Sequence, residues 1–222
     1  METREETKPR TLNRRLASVR AFSKFAQLGD ILHDFKAPTP QKSQPHPIEE
    51  GVKGVVAMCE STQNAYLRAL FALEGLLGLR ISEALSMKPE HFDIENMSMT
   101  VRGKGDKTRI VPISTTAWLY IDPAYTLARQ QGGKLVKMSD RGARLAITRT
   151  ANELGFSKKV SSHDLRATCA TAHHNKTGNI RATQELLGHA SSHTTETYTL
   201  VTEKTIRDGL EFDLELEPTE SA

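Results

Sequence analysis

Residues 162–199 read SHDLRATCATAHHNKTGNIRATQELLGHASSHTTETYT, and the rest of the chain is organised around them. Ser162 is a good helix N-cap, which predicts a helix beginning at His163. His163 and Arg166 stand three residues apart and share one face of its first turn. A helix N-terminus presents unpaired backbone N–H groups and partial positive charge, so an anion is favoured there. A His and an Arg on that turn would make a phosphate pocket. Gly188 is placed to end the helix IRATQELL in a left-handed cap, which turns His189 off the helix axis. Tyr198 follows after a run of Ser and Thr that cannot build much core.

Working outward, composition bounds the class. The 222 residues suffice for one domain with a real core plus a small appendage. Charged residues make up 26% and hydrophobic ones 37%, as in globular proteins. No apolar run approaches the roughly 18 residues of a membrane helix. The opening METREETKPR is not a secretory signal. Two cysteines, Cys59 and Cys169, make no disulfide framework, so a reducing cytoplasm is the expected compartment, and no membrane is involved. The net charge of +3 is unevenly divided. Residues 203–222 hold seven acids and two bases, a net −5, which leaves +8 on residues 1–202. A basic body with an acidic tail suits a polyanion partner, although a solvated surface with an ordinary disordered end gives the same balance.

The periodicity predicts a mainly α chain with a small β-hairpin (α+β). Residues 1–36 hold a basic amphipathic helix over 11–28, capped by Thr11. Leu12, Leu16, Val19 and Phe22 or Ala26 lie on its apolar stripe, and Arg14, Arg15, Arg20 and Lys24 lie mainly off it. Residues 37–47, APTPQKSQPHP, form a Pro-rich linker. The main domain spans 48–210. Its segment QNAYLRALFALEGLLGL is apolar nearly all round, the mark of a central buried helix that ends near Gly78. Arg80 then sits in a turn, and Ser82 caps a second short helix. An Arg at the end of a buried helix needs an anion. An ion pair with Glu83 or Glu74 is the plain structural answer. NMSMTVRGKGDKTRIVPIS reads as a hairpin with turn chemistry at Gly103, Gly105 and Asp106. Its Gly-Lys-Gly is no nucleotide loop, because G-x-x-x-x-G-K-[ST] is missing. Two more helices fall within 115–155. EKTIRDGLEF reads as a last short helix, and 211–222 is an acidic tail.

HDLR, then LLGHASSHTTETY, with GLRISEAL far upstream, resembles the tyrosine recombinases, the phage integrase family. The resemblance covers roughly residues 49–210. The family pattern is Arg, Lys, His-x-x-Arg, His, Tyr in chain order, and Arg80, Lys104, His163, Arg166, His189 and Tyr198 fill it. Where the family often has a second His or Arg after the motif's Arg, this chain has Ala167, a position outside the six. The resemblance makes the basic helix a remnant of a larger core-binding domain, and the linker a joint that lets two domains close around DNA. It also implies a catalytic lysine in the hairpin, Lys104, with Lys107 and Arg109 as fallbacks or phosphate contacts. Arg14, Arg15, Arg20, Lys24, Lys107 and Arg109 are the expected DNA contacts.

The implied function is a site-specific DNA recombinase acting in a bacterial or phage-infected host cytoplasm. Arg80 and Arg166 would pair with the non-bridging phosphate oxygens, with His189 as a further donor. Tyr198 would be the nucleophile, forming a 3′-phosphotyrosyl link. Its free pKa near 10 leaves only about 0.1% phenolate at pH 7, so it needs activation, for which His163 is the candidate base. Lys104 would protonate the departing 5′ oxygen. Bond energy is retained in the link, so neither cofactor nor metal is expected. The implied partners are double-stranded recombination sites and further copies of the chain, a dimer on one site and a tetramer at synapsis. In relatives the C-terminal segment docks on a neighbouring subunit, and Leu210, Phe212, Leu214 and Leu216 alternate with acids as such a tail would. Three alternatives compete. A type IB topoisomerase would share the chemistry, and a DNA-binding regulator would share the fold without cutting. A zinc hydrolase built around Cys169, His173, His174, His189 and His193 has no H-E-x-x-H to support it.

Overall fold

Helix α3, Ala65–Gly75, is where the main domain is assembled. The Asn64 side chain accepts hydrogen bonds from the backbone N–H groups of Tyr66 and Leu67, which starts the helix. Every residue from Ala69 to Gly75 is buried, so its packing is all-round, as its composition requires. In this computed structural model the described residues are 9–29, 31–33, 35, 46–103, 108–188 and 203–212. They divide into two compact units, 1–44 and 45–222.

The first unit holds α1, Pro9–Phe25, which starts before the expected Thr11 cap. Leu16 on the predicted stripe is buried, whereas Phe22 is 62% exposed. Arg14, Arg15, Arg20 and Lys24 are all exposed.

In the second unit, α2 (Gly51–Glu60), α5 (Thr115–Gln131) and α7 (Ser162–Thr177) all pack on α3. The α2–α3 crossing is close because Gly75 has no side chain there: a Cβ would lie 2.4 Å from Val55 Cγ1. After α3 the chain reverses at Gly78, at a φ of +69°. The short helix α4, Ile81–Ala84, follows. It begins at Ile81 rather than after Ser82, because the Glu83 carboxylate reaches back to accept the Arg80 backbone N–H at 2.9 Å.

The expected hairpin is present as β2 (Ser98–Arg102) and β3 (Thr108–Pro112). A two-residue strand β1, Phe92–Asp93, extends it into an antiparallel sheet of order β1-β2-β3. Val101 pairs with Arg109 and Met99 with Val111. Phe92 meets Trp118 and Tyr125 of α5 in an aromatic trio that fastens the sheet to the helices.

Helix α6, Asp140–Glu153, is capped by Ser139. Helix α7 begins one residue earlier than the sequence suggests. Ser161 is its cap, bonded to Asp164, and Ser162 is its first residue. Gly188 closes α8 (Ile180–Leu187) in the expected left-handed cap, and Gly178 closes α7 in the same conformation. Helix α9, Glu203–Leu210, packs on α7. Leu210 is fully buried and Phe212 packs against the same core, so these two face their own chain rather than a neighbouring one. Leu214 and Leu216 lie outside the described residues. No described helix is long and apolar enough to cross a membrane.

Candidate active site

Three elements far apart in sequence converge on one carboxylate. Glu83 of α4 is 4% exposed. Its Oε1 accepts Arg80 Nη1 at 2.8 Å and Arg109 Nη1 at 3.1 Å. Its Oε2 accepts Arg109 Nη2 at 2.8 Å and lies 3.8 Å from Arg166 Nη1. Burial pushes this carboxyl up. The bonds from Arg109 and the Arg80 backbone N–H, and the surrounding positive charge, more than reverse that and hold it at about 2. Three guanidiniums around one carboxylate leave an excess of positive charge. Burial, and then repulsion from Arg80, push Arg166 down to about 10, still a cation at neutral pH.

The same arginines take up the end of α8. Arg80 donates to the carbonyls of Leu187 and Gly188, both at 3.4 Å. Arg166 donates to Leu187 O and Gly78 O, and Arg109 Nε donates to Leu186 O at 2.9 Å. The last carbonyls of a helix have no intrahelical partner and carry its negative end, so cations belong there. Of the two acids weighed for Arg80, Glu83 pairs with it. Glu74 is fully buried and accepts from Ser162 Oγ instead. Its other oxygen, Oε1, has no hydrogen-bond partner, and burial pushes its carboxyl up to about 8.

Arg80, His163 and Arg166 line one cleft of about 540 Å³, together with Ile81, Ala167, Ala170, Thr171 and Leu187 and the Asp140–Arg144 ion pair. Arg80 is partly exposed and His163 exposed, so both can meet a ligand. Ala167, which follows the motif's Arg166, is part of the cleft wall. Lys104, Lys107, His189 and Tyr198 lie outside the described residues. Gly103 and Thr108 mark where the hairpin tip attaches, and Gly188 leads directly into His189.

A profile of the phage integrase family matches residues 49–205. The chain belongs to the phage integrase family. Among curated relatives, the tyrosine recombinase XerA of Pyrococcus horikoshii is 31% identical over 213 residues, which is 91% of this chain and 73% of that protein. The tyrosine recombinase XerD of Mycobacterium leprae is 32% identical, over 88% of this chain and 71% of that protein. Among solved structures, the integrase from mycobacterium phage Brujita superposes with a TM-score of 0.59 at 25% identity, covering 93% of this chain and 72% of that one. The chain is thus a tyrosine recombinase, and the fold expected from its motifs is the one observed.

Arg109 takes a different place from the one expected of a DNA contact. Its side chain is 13% exposed, and the guanidinium is turned onto Glu83 and Leu186. The signal in the sequence was phase. Arg109 is two residues before the buried Val111 and so faces inward, while Ile110 between them is 60% exposed. Glu74 was legible in the same way, as an acid inside a helix that is otherwise apolar all round. Cys169 and His173, one turn apart on α7, are both buried. The thiol donates to Leu76 O at 3.3 Å, and His173 Nδ1 meets Thr183 Oγ1 at 2.8 Å.

Proposed function

We propose that this recombinase cuts and rejoins double-stranded DNA at specific sites through a covalent tyrosine intermediate, using the cleft of Arg80, His163 and Arg166. Tyr198 Oη attacks the scissile phosphorus and its proton passes to His163. Arg80, Arg166 and His189 hold the non-bridging oxygens as negative charge builds on them. The bond from phosphorus to the 5′ oxygen breaks, and Lys104 gives that oxygen a proton. A 3′-phosphotyrosine and a free 5′-hydroxyl result, and the reverse attack by a 5′-hydroxyl restores the phosphodiester. Two copies bind one site and four assemble at synapsis. Arg14, Arg15, Arg20, Lys24 and Lys107 contact backbone phosphates.

The observation that carries this reading is the clustering of Arg80 and Arg166 at one cleft with His163 beside them, with more positive charge than Glu83 neutralises. The test lets the protein choose its own DNA. A pool of randomised duplexes is incubated with the full chain, and DNA that stays attached through detergent is recovered and sequenced. The expected outcome is a consensus duplex joined through its 3′ phosphate to the peptide holding Tyr198, and no capture by Tyr198→Phe. Adducts mapping to another residue would overturn the assignment. Relaxation of plasmids lacking the consensus, with no sequence enrichment, would point to topoisomerase-like action instead.

A further inference from the structure

Arg109 sits at the root of the hairpin, on β3, just beyond the tip that holds Lys104. One face of its guanidinium is committed to both oxygens of Glu83, the carboxylate that also orients Arg80. Its Nε holds the Leu186 carbonyl at the end of α8, two residues before the cap glycine that leads to His189. That glycine is part of the arrangement. Gly188 has a φ of +61°, and a Cβ on it would stand 2.9 Å from Arg109 Nη1 and 3.1 Å from its Cδ. The arginine therefore lies directly beneath the turn. Such a planar fork satisfies two carboxylate oxygens and a carbonyl at fixed angles, which a lysine ammonium cannot.

We propose that Arg109 is a positioning residue, a clamp that ties β3, the strand that follows the tip with Lys104, to Glu83 and to the end of α8, so that the hairpin is held in register with the arginine pair. Arg109 touches no DNA. The inference rests on the reading of the site given above. If the clamp is lost, β3 still pairs with β2, but its register relative to α4 and α8 is free to shift. A misplacement of about 1 Å at a reacting group costs roughly 10²-fold in rate.

Two variants of the full chain test this, Arg109→Met and Arg109→Lys, with two readouts. The first needs no DNA. Hydrogen exchange at amides of residues 108–111 and 186–188 should accelerate by about 10-fold or more in both variants while α3 stays protected. The second uses the duplex recovered by the wild-type chain in the selection described above. Single-turnover cleavage should fall roughly 10²-fold in both variants. The slope of log K for binding against log salt should not change, whereas loss of a phosphate contact would lower it by about 0.9. On the same duplex with sulfur in place of the bridging 5′ oxygen, the part of the lost rate that runs through Lys104 should return, because a thiolate leaves without a proton donor. A merely stabilising arginine would not distinguish oxygen from sulfur.

A reduced salt slope, normal cleavage by Arg109→Lys, unchanged exchange, or equal losses on oxygen and sulfur would each overturn the proposal. Should Lys104→Ala itself gain nothing from sulfur, the assignment of the acid fails first. Exchange then decides only whether the clamp exists, and the claim that it positions Lys104 falls with that assignment.

Discussion

Replacing Glu74 by glutamine should change how stability depends on pH, and the direction follows from its surroundings. The carboxyl is fully buried in α3, accepts one hydrogen bond from Ser162 and leaves Oε1 unpartnered. Burial raises its pKa from the usual carboxylate range to about 8. The Ser162 bond, Arg144 and Arg166 pull it down, and Asp140 adds to the rise. Below about pH 4.5 the acid is protonated both folded and unfolded, and folding loses nothing. As pH rises from there to about 8, the unfolded chain releases the proton while the folded chain keeps it, so stability falls with pH. At 1.36 kcal/mol per pH unit, and allowing for partial ionisation at the ends, the loss between pH 5 and pH 8 is about 3 kcal/mol. Glutamine cannot ionise. It can keep the Ser162 bond but puts amide N–H donors where Oε1 has no partner, so at pH 5 it should be slightly the less stable form. Urea unfolding at pH 5, 6.5 and 8, followed by far-UV dichroism and by the single tryptophan, Trp118, measures both proteins. The stability of Glu74→Gln relative to the parent should climb by about 3 kcal/mol across that range. Other titrating groups are common to both and cancel. Parallel pH profiles would show that Glu74 is ionised in the folded protein and refute the argument.

Glu83→Ala removes the only carboxylate within salt-bridge distance of Arg80, Arg109 and Arg166 among the described residues. It should cost about 3 kcal/mol at pH 7, the lower end for a broken buried pair because Arg80 is partly solvated. The stabilisation exists above the unfolded carboxylate pKa and is lost as pH falls towards about 2, so the deficit should shrink in acid; a deficit independent of pH between 5 and 2 would refute it. Gly75→Ala puts a methyl group 2.4 Å from Val55 Cγ1 and should lower the urea midpoint by an amount equal to about 1–3 kcal/mol. Adding Val55→Ala should recover part of that loss through their shared space, and strict additivity of the two changes would show that α2 and α3 do not meet there.

Helix positions, the hairpin, the left-handed cap at Gly188 and the order of the site residues all follow from short-range pattern. Glycine at 178 and 188 terminates helices for a reason carried by the residue itself, the freedom to adopt positive φ. The alternation around Val111 and the unbroken apolar run of α3 reflect faces that must be covered wherever the chain goes. That Arg80, His163 and Arg166 belong together was likewise legible, since motif spacing needs no coordinates, and they line one cleft.

What the sequence could not decide was which partner each charged group would take. Arg80 had two acids within reach along the chain, and only the packing of α3 against α7 turned Glu74 to Ser162 and left Glu83 for the arginines. Arg109 read as a fallback for the hairpin's catalytic lysine or as a phosphate contact. It lies inside because β3 meets the end of α8 across a sequence separation of 77 residues. The inward packing of Leu210 and Phe212 has the same origin. A local rule fixes backbone shape because each residue carries its own φ/ψ and hydrogen-bonding preferences. A buried charge is settled only when the elements assemble, because its stability depends on which counter-charges and orphan carbonyls the fold brings within about 3 Å.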